Sequence, residues 1–132
     1  MAFTSSDAIK IIVVEDEVTM QLILKKYLGE QYEVEIFKDG VDALAFMQQG
    51  NMPDLIISDL NTPVMGGLGL TQQLKASDFF NSIPIVILSG EESSEMIIKC
   101  LEAGADDYLV KPFNPKELEA RLRVVLRRIR KS

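Results

Sequence analysis

The chain has 132 residues, 47% hydrophobic and 26% charged, which suits one globular domain with a real core. Its net charge of −6 argues against general nucleic-acid binding by this domain. It has no histidine and one cysteine, Cys100, which excludes histidine-based catalysis, histidine metal ligands and an intrachain disulfide.

Residues 1–9 read as a short N-terminal tail and 10–131 as one domain. Met1 to Ala8 is polar and shows no secretory signal, and no apolar run approaches the ~20 residues that span a bilayer. The expectation is therefore a cytoplasmic protein without membrane contact. Strand and helix patterns then alternate five times. Lys10–Glu15 is predicted as a strand and Glu17–Leu28 as a helix, with Met20, Ile23, Leu24, Tyr27 and Leu28 on one stripe. Gly29 can supply a left-handed cap. Glu33–Phe37 (strand), Gly40–Gln48 (helix), Leu55–Ser58 (strand) and Leu68–Ala76 (helix) follow. Next come Ile85–Leu88 (strand), Glu92–Ala103 (helix) and Asp107–Val110 (strand). The last helix, Pro115–Arg130, opens on Asn114-Pro115-Lys116-Glu117, which predicts an Asn N-cap and a capping box through Glu117. Its stripe is Leu118, Leu122, Val125, Leu126 and Ile129. Such alternation implies a parallel sheet with helices on both faces.

Polar residues follow the apolar runs at fixed places. Glu15-Asp16 follows the first strand, Asp59 the third, Ser89 the fourth and Lys111 the fifth. Ligands of open parallel sheets bind at the carboxyl ends of the strands. Three carboxylates, a hydroxyl and an ammonium thus converge on one edge, a set that suits a divalent metal and a phosphoryl group. The run Gly66-Gly67-Leu68-Gly69 lacks the spacing of a nucleotide cradle and reads as a loop leading into a helix.

These pieces, with the loop Asn61 to Gly67 and the run Gly104 to Phe113, resemble the receiver domain of two-component response regulators. The resemblance covers residues 10 to 130. It implies a flavodoxin-like (βα)5 fold, doubly wound, with five parallel strands in the order 2-1-3-4-5. It implies that Asp59 accepts a phosphoryl group from a histidine kinase or histidine phosphotransfer protein. Mg²⁺, with Mn²⁺ able to substitute, would sit on Asp16, Asp59 and the backbone carbonyl of Asn61, with Glu15 held through water. Lys111 and Ser89 would attend the phosphoryl oxygens, and the Lys111-Pro112 peptide would be cis. Asn61 and Glu91 flank the path of the hydrolytic water and would tune autodephosphorylation, as in chemotaxis-type receivers.

The resemblance also implies an output face. Ser89 and Tyr108 would form a switch, the ring turning inward as Ser89 moves toward the phosphoryl group. Counting back from Gly104 places Ile97 outward, near Tyr108 and Val110, which points to a partner face for a downstream protein or effector. The last helix carries Arg121, Arg123, Arg127, Arg128, Arg130 and Lys131. Asp106, Asp107, Glu117 and Arg121 resemble charges that pair across a phosphorylation-dependent homodimer of winged-helix regulators, although Ile97 stands where those carry a polar or basic residue. Two other readings compete. One is a phosphorylation-independent interaction module on the same fold, against which the intact Asp16, Asp59 and Lys111 argue. The other is an aspartyl-phosphate phosphatase, against which the missing cap domain and the lack of an Asp at residue 61 argue.

Overall fold

Five strands rich in Ile, Val and Leu, with glutamates interleaved in the second, form one parallel sheet in a computed structural model that describes residues 8–130. The strands are β1 (Lys10–Val14), β2 (Glu33–Phe37), β3 (Leu55–Asp59), β4 (Ile85–Ser89) and β5 (Asp107–Val110). The helices between and after them are α1 (Val18–Leu28), α2 (Gly40–Gln48), α3 (Gly67–Lys75), α4 (Ser94–Ala103) and α5 (Pro115–Arg130). The sheet order is β2-β1-β3-β4-β5, the doubly wound order expected. Most of the expected tail and Lys131 lie outside the described residues. No helix of the described residues is long and apolar enough to cross a membrane.

Strand side chains alternate between two cores. Ile11, Val13, Leu55, Ile57, Val86, Leu88 and Leu109 meet α1 and α5 on one face. Ile12, Val14, Ile56, Ile85, Ile87 and Tyr108 meet α2, α3 and α4 on the other. The strands β1, β3 and β4 carry unbroken apolar runs because helices cover both faces, whereas the edge strand β2 alternates with the exposed Glu33 and Glu35.

Several local expectations need correction. The buried stripe of α1 narrows to Leu24 and Leu28, with Met20 half-buried. Ile23 and Tyr27 are 37% and 42% exposed, because each lies about 100° around the helix from the residue that follows it. Gly29 is right-handed, with φ −66°. No reversal is needed there, since the amides of Gln31 and Tyr32 both reach the Leu28 carbonyl. The left-handed cap belongs to α4, where Gly104 has φ 118°. Asn114 does cap α5, its Oδ1 accepting from the Lys116 amide at 2.8 Å. Glu117 does not close the capping box; its carboxylate turns to Arg121, at 3.1 Å. Ile129 is exposed, so the buried stripe of α5 ends at Leu126.

The phase of α4 also differs from expectation. Met96 and Ile97 are half-buried against the core that holds Cys100. They lie four and three residues before Cys100 and share its face. Ile98, 53% exposed, is the outward residue, and Leu101 stands beside it on the next turn.

Leu24→Ala should cost about 2–4 kcal/mol in urea unfolding, because it empties a buried site. Ile23→Ala should cost under ~1 kcal/mol, because its side chain stays partly in water. Equal losses would contradict the narrow stripe.

Candidate functional site

Strand register builds the site. Val14 pairs with Ser58, so Glu15 leaves the sheet beside Asp59. Asp59 pairs with Leu88, so Ser89 is the next residue on β4. Ser89 pairs with Val110, and the Lys111 amide donates to the Ser89 carbonyl at 2.7 Å. Each strand thus ends one step from its neighbour, and the polar residues after the apolar runs meet at one rim.

Lys111 is the hub. Its Nζ lies 2.8 Å from Asp59 Oδ1 and 3.2 Å from Glu15 Oε1. Glu15 is only 2% exposed, and its Oε2 accepts from the Glu17 amide at 3.1 Å. Burial raises the Glu15 pKa, against the opposing pull of that amide and of Lys111. Burial pulls Lys111 down, but the hydrogen bond and charge of Asp59, joined by Glu15, outweigh it and hold its pKa above the ordinary value. Asp16 completes the group. Carboxylate oxygens of Glu15, Asp16 and Asp59 lie within 4.8 Å of one another, Glu15 buried, Asp59 half-buried and Asp16 exposed. One ammonium leaves two of three negative charges unbalanced. An all-oxygen donor set with surplus negative charge fits a hard divalent cation, and Asp16 opens it to solvent.

Ser89 is buried, and its hydroxyl accepts from the Glu91 amide at 3.0 Å. The Glu91 carbonyl accepts from the Tyr108 hydroxyl, also at 3.0 Å. The turn at Glu91 therefore joins the two expected switch residues. Burial raises the Tyr108 pKa, partly offset by the neighbouring Ser89 hydroxyl. Asn61 and the Glu91 side chain are exposed at the rim, and the Lys111–Pro112 peptide is cis.

The expected partner face is altered. Tyr108 is buried, whereas Ile97 and Val110 are half-buried and keep only part of their surface exposed. Ile98 and Leu101 are the exposed apolar residues of α4. Arg121 already pairs within the chain, with Asp107 and Glu117, each at 3.1 Å.

Two contributors went unseen in the sequence. Gln21 donates through Nε2 to the Glu15 carbonyl at 2.6 Å and fixes the turn between β1 and α1. Nothing in its spacing marks it. The backbone of Glu91 was legible in principle, since a serine hydroxyl commonly bonds the amide two residues on.

Comparison with known proteins agrees with this geometry. The family model of the response regulator receiver domain matches residues 11–123. The probable transcriptional regulator ycf27 of Porphyridium aerugineum is 41% identical over 124 residues, covering 93% of this chain and 50% of that protein. The DNA-binding response regulator MtrA of Mycolicibacterium paratuberculosis is 38% identical over 120 residues, covering 90% and 52%. The chain spans about half the length of these curated relatives. Among solved structures, the signal receiver domain of a signal transduction histidine kinase from Syntrophus aciditrophicus superposes with a TM-score of 0.87 at 32% identity, covering 95% of each chain. The chemotaxis response regulator CheY4 of Vibrio cholerae gives 0.82 at 35% identity, covering 89% of this chain and 98% of that one. With five strands in this order and acidic, hydroxyl and lysine side chains at their ends, the chain belongs to the response regulator receiver domain family.

Proposed function

We propose that this domain accepts a phosphoryl group on Asp59, relays the change to a partner, and then loses the group to water. The observation that carries this reading is Lys111 held between Asp59 and Glu15 inside a cluster of three carboxylates. An Asp59 oxygen attacks phosphorus, and the bond from phosphorus to the donor nitrogen breaks, its electron pair going to the nitrogen. In the second step water attacks phosphorus, the Asp59 oxygen leaves with its electron pair, and inorganic phosphate departs. Lys111 shifts its ammonium from the carboxylates to a phosphoryl oxygen, and the Ser89 hydroxyl donates to another. Asp16, Asp59 and the Asn61 carbonyl would hold Mg²⁺ or Mn²⁺, with Glu15 acting through water. The bound ion would offset the carboxylate charge and that of the phosphoryl oxygens.

These 132 residues hold no histidine, so a phosphohistidine donor lies outside this domain, on a histidine kinase or phosphotransfer protein. Relatives twice as long, one named a transcriptional regulator and one DNA-binding, support an effector controlled by this domain. The net charge of −6 argues against nucleic-acid contact by the receiver itself.

Mass spectrometry after acetyl phosphate and Mg²⁺ should find a phosphate adduct on the wild type and none on Asp59→Asn. An equal adduct on the variant would sink the assignment. Asp16→Asn should raise the melting temperature in chelator, on the order of 2–5 °C, because it removes repulsion without breaking an ion pair. Added Mg²⁺ should shrink or reverse that gain. A variant that melts lower in chelator would contradict the electrostatic account. Asn61→Met and Glu91→Leu should each slow loss of the phosphorylated form at fixed Mg²⁺, because bulky apolar groups at the exposed rim exclude water. Unchanged or faster decay in both would reject their water-positioning role.

A further inference from the structure

The loop after Asp59 holds a backbone conformation that its own residue resists. Val64 has φ 67°, and among the described residues no other non-glycine residue has positive φ. A β-branched side chain rarely enters this left-handed region. The Met65 amide donates to the Pro63 carbonyl at 2.7 Å, which closes a strained three-residue γ-turn on Val64. Val64 is 83% exposed, so packing of its side chain does not offset the strain. The turn is held from outside. The Met65 carbonyl accepts two hydrogen bonds, from the Thr62 hydroxyl at 2.6 Å and from the Gly40 amide at 2.9 Å. Gly40 begins α2, and a Cβ there would lie 3.0 Å from both Met65 Cγ and Met65 O, so glycine leaves room for this approach. The far end of the loop is also fixed. The Gly67 amide donates to the Leu60 carbonyl at 3.1 Å, and a Cβ on Gly66 would come 2.0 Å from that same oxygen.

We propose that Thr62 is a positioning residue of the acceptor site, acting through the Met65 carbonyl. Strain at Val64 favours an open loop, and the Thr62 and Gly40 bonds oppose it. With both ends pinned, the path of Asn61 to Met65 depends on that balance. Loss of the Thr62 hydroxyl frees the loop to open and unfixes the segment that carries the Asn61 carbonyl. Anchoring through Gly40 also ties the acceptor loop to the first turn of α2. This inference rests on the phosphoacceptor reading of Asp59.

Three variants test it: Thr62→Val drops the hydroxyl and keeps the shape, Thr62→Ser keeps the hydroxyl, and Thr62→Val with Val64→Gly also releases the strain. Beryllofluoride affinity at fixed Mg²⁺, Gly40 amide exchange and thermal melting are measured on each. Thr62→Val should weaken beryllofluoride binding roughly fivefold and speed Gly40 exchange by a similar factor, the size of one lost hydrogen bond. Thr62→Ser should match wild type, and the double variant should recover most of the affinity. A merely stabilising threonine would lower the melting temperature and leave affinity unchanged, which would overturn the proposal. So would a double variant that binds no better than Thr62→Val, since strain would then not be the opposing force. A wild-type chain that binds no beryllofluoride would overturn the phosphoacceptor reading and this inference together, whereas wild-type binding with Thr62→Val unaffected would overturn this inference alone.

Discussion

Lys111 reaches across the carboxyl ends of three strands to place one ammonium on two carboxylates, at 2.8 and 3.2 Å. The rest of the domain makes that contact possible. β1, β3, β4 and β5 end in staggered register, and their apolar runs anchor each end in one of two cores. The contact is also incomplete, since Asp16 adds a third carboxylate and, among the described residues, Lys111 is the one cation paired with the cluster. A fold selected only for stability would not bury Glu15 beside such a group. Departures from local consistency of this kind belong at functional sites.

The same rim carries a mechanical link. Ser89 and Tyr108 lie on adjacent strands and meet through the backbone of Glu91. The Ser89 hydroxyl accepts from the Glu91 amide, and the carbonyl of that same residue accepts from the Tyr108 hydroxyl, so under the proposed function a change at Ser89 would be felt at Tyr108. The ring is buried among core residues that include Cys100, with Met96 and Ile97 packed around them. Ser89 at the rim is thereby linked through Glu91 and Tyr108 to the core under α4, whose outer face shows Ile98 and Leu101. The charges on α5 are differently placed. Arg121 is already satisfied by Asp107 and Glu117, so a homodimer built on those groups would have to break or share existing pairs.

The parts legible in the sequence were those set by short-range rules. Apolar runs marked β1, β3, β4 and β5, and Val, Ile and Phe interleaved with glutamate marked the edge strand β2, each to within one residue at either end. The meeting of Glu15, Asp59, Ser89 and Lys111 at one rim was legible because each directly follows an apolar run. Strand order came from family resemblance, since apolar runs alone do not say which strand pairs with which. Misreadings arose where tertiary contacts decide. Ile97 is half-buried rather than outward because α4 takes its phase from Cys100 against the core, a contact invisible when counting from Gly104. Glu117 leaves its cap for Arg121, a guanidinium one turn away that is also drawn toward Asp107. Gly29 stays right-handed because the chain continues by turning on the Leu28 carbonyl.

A crystal structure with Mg²⁺ and beryllofluoride tests the central claim most directly. The account predicts beryllium bonded to an Asp59 oxygen, Lys111 moved from Glu15 onto a fluoride, and the metal between Asp16 and Asp59. Beryllofluoride bound elsewhere, or Lys111 still bridging Glu15 and Asp59 beside an occupied acceptor, would contradict it.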